Sequence, residues 1–566
     1  MKRCPRCNRL ETDETLKFCR TDGTPLVDEE APTDVLTRTS EPATTEVLKA
    51  DTTVDVGTAS TAPTGTAPTT KANSSRRRLA LVIITAIVFI ALAIAGLFAY
   101  RHARNTEVTI DSIAVLPFEN QSRDPDSDYL ADGLTESIIY RLSQFPNLKV
   151  SPRSSVFHYK GRESDAITIG NELHVNAVLS GRITKRGDQI TISTELTDVR
   201  YNKLLWGEQY DLKISELLAT QREIAREITE KLKVKISGED QRLASKHYTE
   251  SNEAYQSYLK GRFYWNKRTR DGYGKAIDQF KAAIEKDPSF ALAYAGLADC
   301  YNILSSYGLS SPNESFPLGK AAVTKALELD PNLAEAHTSI AYIKYQYEWD
   351  WAGAEAEFKR AIELNPNYAT AYHWYALALA NMGRVDESLA QLKRAQELDP
   401  LSLPILGSTG WTLYHAKRYD DAIAQYQRCL DMDQNFSRAW WGIAEPYELK
   451  GNFDKAITAL QRARQLDDSP LVLALLADSY ARANRKAEAQ TVLDELTQQR
   501  TLKYVDPYSL AEVYAALGDK ERALRLLEDA YRKRSSLLVW LKLDPKLDEL
   551  HSDKRYLDLM RRIGLN

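Results

Sequence analysis

The sequence predicts a modular, multidomain chain: a small cysteine-bearing head, one membrane-crossing helix, an α/β domain and an all-α solenoid. Three observations carry that reading. Three of the five cysteines crowd the first twenty residues, the stretch from Leu79 to Tyr100 holds no charged residue, and proline landmarks in the C-terminal half recur close to every 34 residues. With 566 residues, 43% of them hydrophobic and 27% charged, the chain is long enough for several packed cores and too polar for a multi-span membrane protein. A net charge of −4 excludes a globally basic nucleic-acid binder. Thirty tyrosines and nine tryptophans against thirteen phenylalanines suit half-buried helix faces and binding grooves.

Residues 1–27 contain Cys4-x2-Cys7 followed by Cys19-x2-Asp22. A segment this short cannot fold on core burial alone, and a metal is the simplest reason for its cysteines. The spacing resembles a short zinc ribbon whose fourth cysteine is replaced. The resemblance implies a structural Zn²⁺ held tetrahedrally by Cys4, Cys7, Cys19 and Asp22, with sulfurs about 2.3 Å from the metal. Asp13, a water or a degenerate site are the alternatives at the fourth place. A catalytic zinc is not expected, because no general base or histidine ligand accompanies the cysteines. Lys2, Arg3, Arg6 and Arg9 supply cations, yet no recognition helix follows them, so a protein-contact knob is expected rather than a nucleic-acid reader.

Residues 28–75 are rich in Thr, Ala, Pro and acids, have no aromatic residue and show no sustained period. Such a stretch cannot offset its ordering entropy and reads as a disordered linker with a reach on the order of 40 Å. Residues 79–100 follow as an apolar helix of about 33 Å, enough to cross a hydrocarbon core of roughly 30 Å. Lying behind a head, the helix reads as an uncleaved anchor rather than a signal peptide. Lys71 and Arg76 to Arg78 precede it, while Arg101 and Arg104 follow, which favours a cytoplasmic N-terminus and extracytoplasmic C-terminal domains at an inner membrane. Ala91, Ala95 and Ala99 share a helical face and leave a homodimer seam open.

Residues 108–236 alternate strand and helix signals. SIAVLPF is a short apolar run, GLTESIIYRLSQF has helical spacing, LKVSP is a second strand, and Asp165 to Leu173 is a further helix. VNAVLSGRITK and QITISTELTDV flank Arg186, Gly187 and Asp188, a hairpin in which Gly187 can supply a positive φ. LLWGEQYDL adds an edge strand and Ile214 to Val234 a closing helix. This ordered series resembles the TolB amino-terminal/FlgO-like domain. The resemblance implies an assembly or protein-contact domain, in a family found beside cyclase, kinase or winged-helix modules and often followed by helical repeats. Asp132, Gly133 and Glu136 are expected to open a helix, with a tight turn at Gly133 and acids favoured by the dipole.

From residue 252 to the C-terminus, Pro288, Pro331, Pro366 and Pro400 lie 43, 35 and 34 residues apart. Small residues recur where paired helices touch: Ala354 and Ala361, Ala422, Ala456 and Ala463, Ala523 and Ala530, with Cys429 in one such place. These units resemble tetratricopeptide repeats, about eight of them between residues 252 and 533. SSYGLSSPNESFP lengthens the turn of the second unit, and the out-of-phase tail from Leu537 is expected to cap the array. Cys300 and Cys429 are expected to be buried free thiols.

The resemblance places residues two, five, nine and twelve of each unit on a concave face. In repeats four to six these are His373, then Trp411 and Tyr414, then Arg438, Trp441 and Glu445. Two tryptophans, a tyrosine and an arginine make a hot-spot strip for a peptide or protein, although each tryptophan alone also fits core packing. No phosphate loop, nucleophile elbow or H-E-x-x-H motif is present, and nothing requires an enzyme. The expectation is a membrane-anchored, non-catalytic scaffold for protein partners. The alternative is a signalling or transcription-regulatory protein whose head contacts nucleic acid or a regulator.

Overall fold

The structure is a computed structural model that describes residues 2–3, 10–11, 27–28, 110–122, 127–145, 147–162, 165–232, 248–306, 308–499 and 503–565. The chain forms two units, Met1–Arg101 and His102–Asn566. In the first, β1 (Lys2–Arg3) pairs antiparallel with both β2 (Leu10–Glu11) and β3 (Val27–Asp28). Asp28, which was expected to open the linker, is thus paired with Lys2. Cys4, Cys7, Cys19, Asp22, the rest of the linker and the apolar helix at 79–100 lie outside the described residues. Among the described residues no helix is long and apolar enough to cross a membrane.

The second unit begins with a mixed sheet in the order β6-β4-β7-β8-β9. Strand β4 (Ser112–Val115) is buried along its whole length between parallel neighbours β6 (Lys149–Val150) and β7 (Ala177–Arg186), in keeping with its apolar Ile113–Val115 run. β5 (Glu119–Asn120) adds to β7. β7, β8 (Gln189–Asp198) and the edge strand β9 (Lys203–Lys213) run antiparallel. Arg186 pairs with Gln189, so the hairpin closes over Gly187 and Asp188, with Gly187 at φ +63°.

Helix α1 (Asp128–Ser143) starts five residues before the turn expected at Gly133. Asp132, Gly133 and Glu136 therefore lie inside the helix, and the acid in its first turn is Asp128. Gly133 is not a turn residue. A Cβ there would stand 2.9 Å from Leu259 Cβ, and the glycine lets α1 press against the first repeat helix. α2 (Arg153–Phe157) and α3 (Ala166–Glu172) follow, α3 being capped by the Asp165 carboxylate, which accepts from the amides of Ile167 and Thr168. The domain ends in α4 (Leu217–Leu232).

The remainder is an all-α solenoid of eight helix pairs: α5 (Asn252–Asn266) with α6 (Arg270–Lys286), α7 (Ala291–Ser306) with α8 (Pro312–Leu329), α9 (Ala334–Ile343) with α10 (Trp351–Leu364), and α11 (Ala369–Asn381) with α12 (Val385–Leu398). Then come α13 (Leu403–His415) with α14 (Tyr419–Met432), α15 (Ser437–Leu449) with α16 (Phe453–Leu466), α17 (Pro470–Arg482) with α18 (Lys486–Gln499), and α19 (Pro507–Ala516) with α20 (Lys520–Arg532).

The packing rule is a large side chain from the second helix seated against small residues of two successive first helices. Phe280 fills the space a Cβ would need at both Gly261 and Gly296, and Tyr426 does the same at Gly410 and Gly442. The recurrent small residues, Cys429 among them, are buried, and both Cys300 and Cys429 are free thiols. Each turn within a pair carries one left-handed residue: Arg268, Gly308, Trp349, Gly383, Lys417, Gly451, Asn484 and Gly518. That conformation reverses the chain in few residues and ends the first helix of each pair. In the third pair the turn is widened by a π-helical segment, Lys344–Glu348, before Trp349 at φ +59°.

The solenoid closes on itself. Trp349 stacks on Tyr531 with centroids 5.1 Å apart, Arg534 donates to the Tyr347 carbonyl at 3.0 Å, and Trp351 Nε1 donates to the Ile563 carbonyl at 2.8 Å. The tail, expected only to cap the last repeat, does so in part: α21 (Lys554–Arg562) packs on α20. The turns before it, Leu538–Trp540 and Pro545–Leu550, instead carry Trp540 and Lys546 to the concave side. The apolar members of this LLVWLKLDPKLDEL run, Leu538, Val539, Trp540, Leu541, Leu547 and Leu550, are removed from water there.

Candidate functional site

The eight first helices bend around one cavity of about 820 Å³, within the range that suits small ligands or short peptide segments. His373, Trp411, Tyr414, Arg438, Trp441 and Glu445 all line it. They come together because α11, α13 and α15 are successive first helices, and positions three to four apart on one helix share a face. On α15 the face runs Arg438, Trp441, Glu445, basic at the N-terminal end and acidic at the C-terminal end, with about 10 Å of rise between the two charges.

Trp411 is the hub of the wall. It meets Trp441 edge-on at 5.7 Å, Trp540 edge-on at 5.6 Å and His415 at 4.5 Å. Trp411 and Trp441 are half-buried, so neither is ordinary core. His373 is buried and its Nε2 lies 2.8 Å from Ser408 Oγ, which also accepts from Arg438 at 3.4 Å. Burial first, then Arg438 and Arg268, push the His373 imidazole down to about 3, so it stays neutral. The Tyr414 hydroxyl is buried without a hydrogen-bond partner among the described residues.

Glu445 is only 3% exposed and pairs with Lys546 of the tail at 3.1 Å. Lys546, itself buried, also reaches Asp478 at 2.8 Å and Glu448 at 3.5 Å. Burial pushes the Glu445 carboxyl up to about 7 against the pull of Lys546. Glu512 and Asp544 line the same end, Asp544 accepting from the Tyr508 hydroxyl at 2.8 Å. This acidic end is filled by an ammonium group from the chain itself. Among the described residues no set of three His, Cys, Asp or Glu is arranged to hold a metal.

The opposite wall is shared between the α/β domain and the first repeat. Glu136 and Arg153 of the α/β domain line the cavity beside Arg262 and Arg268 of the first repeat. Glu136 accepts from Asn266 at 2.9 Å and pairs with Arg262 at 2.6 Å and Arg153 at 3.2 Å. Burial raises its pKa, but Arg262 and Arg153 outweigh that and hold the carboxyl below its ordinary value. The α/β domain is fastened further by Ser137 and Tyr255, whose hydroxyls lie 2.5 Å apart, by Ser154 on Asp399, and by Asn367 donating to the Ser143 carbonyl at 3.3 Å.

The helical period singles out neither Arg153 nor Trp540, since one lies in another domain and the other falls out of phase. For Trp540 a signal existed, the apolar run around it. For Arg153 none did.

Residues 109–230 match the family described as HilA/YgeH-like transcriptional regulator, second domain, a match that does not itself show the TolB-N/FlgO likeness. Residues 357–390, 413–478, 470–495 and 508–529 match tetratricopeptide repeats, which the C-terminal half therefore contains. A protein of Rhizobium meliloti strain 1021 whose name includes "adenylate cyclase 3" is 31% identical over 287 residues, 49% of this chain and 41% of that protein. The transcriptional regulator HilA of Salmonella typhimurium is 24% identical over 285 residues, 50% of this chain and 49% of HilA. The chain thus spans less than half the length of either relative. Among solved structures, YrrB, a TPR protein with an unusual peptide-binding site, covers 34% of the chain at 22% identity with a TM-score of 0.23, and Pseudomonas aeruginosa PilF covers 36% at 20% identity with a TM-score of 0.28.

Proposed function

We propose that this protein is a membrane-anchored, non-catalytic scaffold that binds a peptide or protein segment in the cavity of its tetratricopeptide array. The observation that supports it best is the meeting of His373, Trp411, Tyr414, Arg438, Trp441 and Glu445 on one concave wall, with half-buried tryptophans at its centre. Anchoring rests on the uncharged stretch 79–100, an inner-membrane location with the N-terminus in the cytoplasm on the flanking cations, and a structural Zn²⁺ on Cys4, Cys7, Cys19 and Asp22. A photoreactive residue at position 441 in cells tests the binding reading. A discrete adduct lost in Trp411→Ala, and absent when the probe replaces the exposed Leu318, is the expected result. The same adducts at both positions, or none, would sink it.

The second reading is a regulatory protein whose head contacts nucleic acid or a regulator. It is favoured by the match of residues 109–230 to a domain of HilA/YgeH-like transcriptional regulators. A salt-sensitive DNA complex of the full chain that disappears in Arg6→Gln with Arg9→Gln supports the nucleic-acid version, and no complex even at low salt excludes it.

A further inference from the structure

The two ends of the cavity differ in what they still lack. The acidic end holds Lys546, whereas the basic end presents guanidiniums from three places in the chain: Arg153 on α2, Arg262 and Arg268 at the end of α5, and Arg438 on α15. Each lies over an aromatic face. Arg153 is 3.7 Å from the Phe157 centroid, Arg262 and Arg268 are 4.7 and 3.5 Å from that of Trp265, and Arg438 is 5.8 Å from that of Trp441. A guanidinium over an aromatic face keeps its N–H edges for hydrogen bonds, and here those of Arg153 and Arg262 reach Glu136 while Arg438 donates to Ser408.

Glu136 pairs with Arg153 and Arg262, while Arg268 makes no ion pair among the described residues. His373, held neutral first by burial and then by Arg438 and Arg268, adds no further cation. Arg268 is also held at φ +53°, a backbone state that costs about 1 kcal/mol for a side-chain-bearing residue, and it projects at the cavity rim.

We propose that the basic end is an oxyanion site that takes a carboxylate of an acidic peptide segment, gripped jointly by the α/β domain and the repeats. This deepens the protein-binding reading and rests on it. A peptide carboxylate is favoured over a free phosphate by the rest of the cavity. Its centre is an aromatic wall, and its far end, about 10 Å away along α15, is already occupied by Glu445 paired with Lys546. An extended segment with a carboxylate at one end and apolar side chains two or three residues away fills that space, since each residue spans about 3.3–3.6 Å. Because Arg153 belongs to another domain than Arg262, Arg268 and Arg438, such a ligand bridges the α/β domain and the solenoid.

The test uses the full-length protein in detergent and dye-labelled octapeptide pools of equal aromatic content carrying net charges of about −3, 0 and +3, read by fluorescence anisotropy. The expected result is an acidic pool that binds about tenfold or more tighter than the basic one. Arg268→Gln, at the exposed rim where folding is not at stake, and Arg438→Gln should each weaken that pool about tenfold and so abolish its advantage over the basic pool. Pools that bind equally and ignore both arginine changes, yet are lost in Trp411→Ala, overturn the oxyanion site while the peptide-binding reading stands. Failure of every pool overturns both. Inorganic phosphate that binds where no pool does reassigns the arginines to phosphate and overturns the carboxylate.

Discussion

Two kinds of residue carry the architecture, those with no side chain and those whose charge is suppressed. Gly442 is the first kind: a Cβ would meet the Tyr426 ring at 2.4 Å, so Gly442→Ala should cost about 1–3 kcal/mol in a denaturation midpoint analysis. Gly274, in the interior of α6 with nothing nearby, is the internal control, and Gly274→Ala should gain about 0.5–1 kcal/mol. Equal effects at the two positions would contradict the packing rule. His415 is the second kind. Burial pushes its imidazole down to about 4, with Lys546 lowering and Asp544 raising it. Between pH 6.5 and 4 the unfolded chain binds a proton there that the folded chain refuses, so stability falls on acidification. Measured against His415→Phe, the wild type should lose up to about 3 kcal/mol across that window, the pH-independent loss of the Nδ1 contact to the Trp411 carbonyl dropping out of the comparison. A flat difference would mean that His415 titrates as in water.

Between elements, the decisive contact is α1 on α5. Gly133 allows it and Glu136 secures it, and the spacing of LADGLTE in sequence suggests a helix start precisely because both roles depend on a partner more than a hundred residues away. Gly133→Val should force α1 off Leu259. Hydrogen exchange should then accelerate in α1 and α5 while α15 to α18 keep their protection. Uniform acceleration would point to global destabilisation instead. The helices themselves were legible, because a 34-residue period and small residues at fixed phase follow from two helices packing within one unit and against the next. The left-handed turns were only partly legible. Glycine announces them at Gly308, Gly383, Gly451 and Gly518, and asparagine at Asn484, but Arg268, Trp349 and Lys417 adopt the same conformation without a sequence signal.

At the scale of the whole molecule, closure of the array converts an open groove into a cavity. The seam is a small set of contacts around Trp349, Tyr531 and Arg534, with Arg534 4.0 Å from the Trp349 centroid. Trp349→Ala with Arg534→Ala should open it. The expected signature is faster hydrogen exchange in α9, α10, α20 and α21 and a larger radius of gyration by small-angle scattering, with α13 to α16 unaffected. An unchanged radius would show that the tail around Trp540 and Lys546 holds the array shut by itself.

The sequence by itself determined the local parts: the repeat period and its eight units, the α/β order with its Gly187 hairpin, and a concave strip from His373 to Glu445. All of these depend on contacts between neighbours in the chain, which leave a periodic trace in composition. Tertiary structure alone decided that the strip becomes one wall of an enclosed space, that the α/β domain supplies the facing arginine, and that the tail brings Trp540 and Lys546 inside. Those outcomes depend on a small rotation per repeat summed over eight repeats and on charges paired across long loops, and neither quantity is written at any one position.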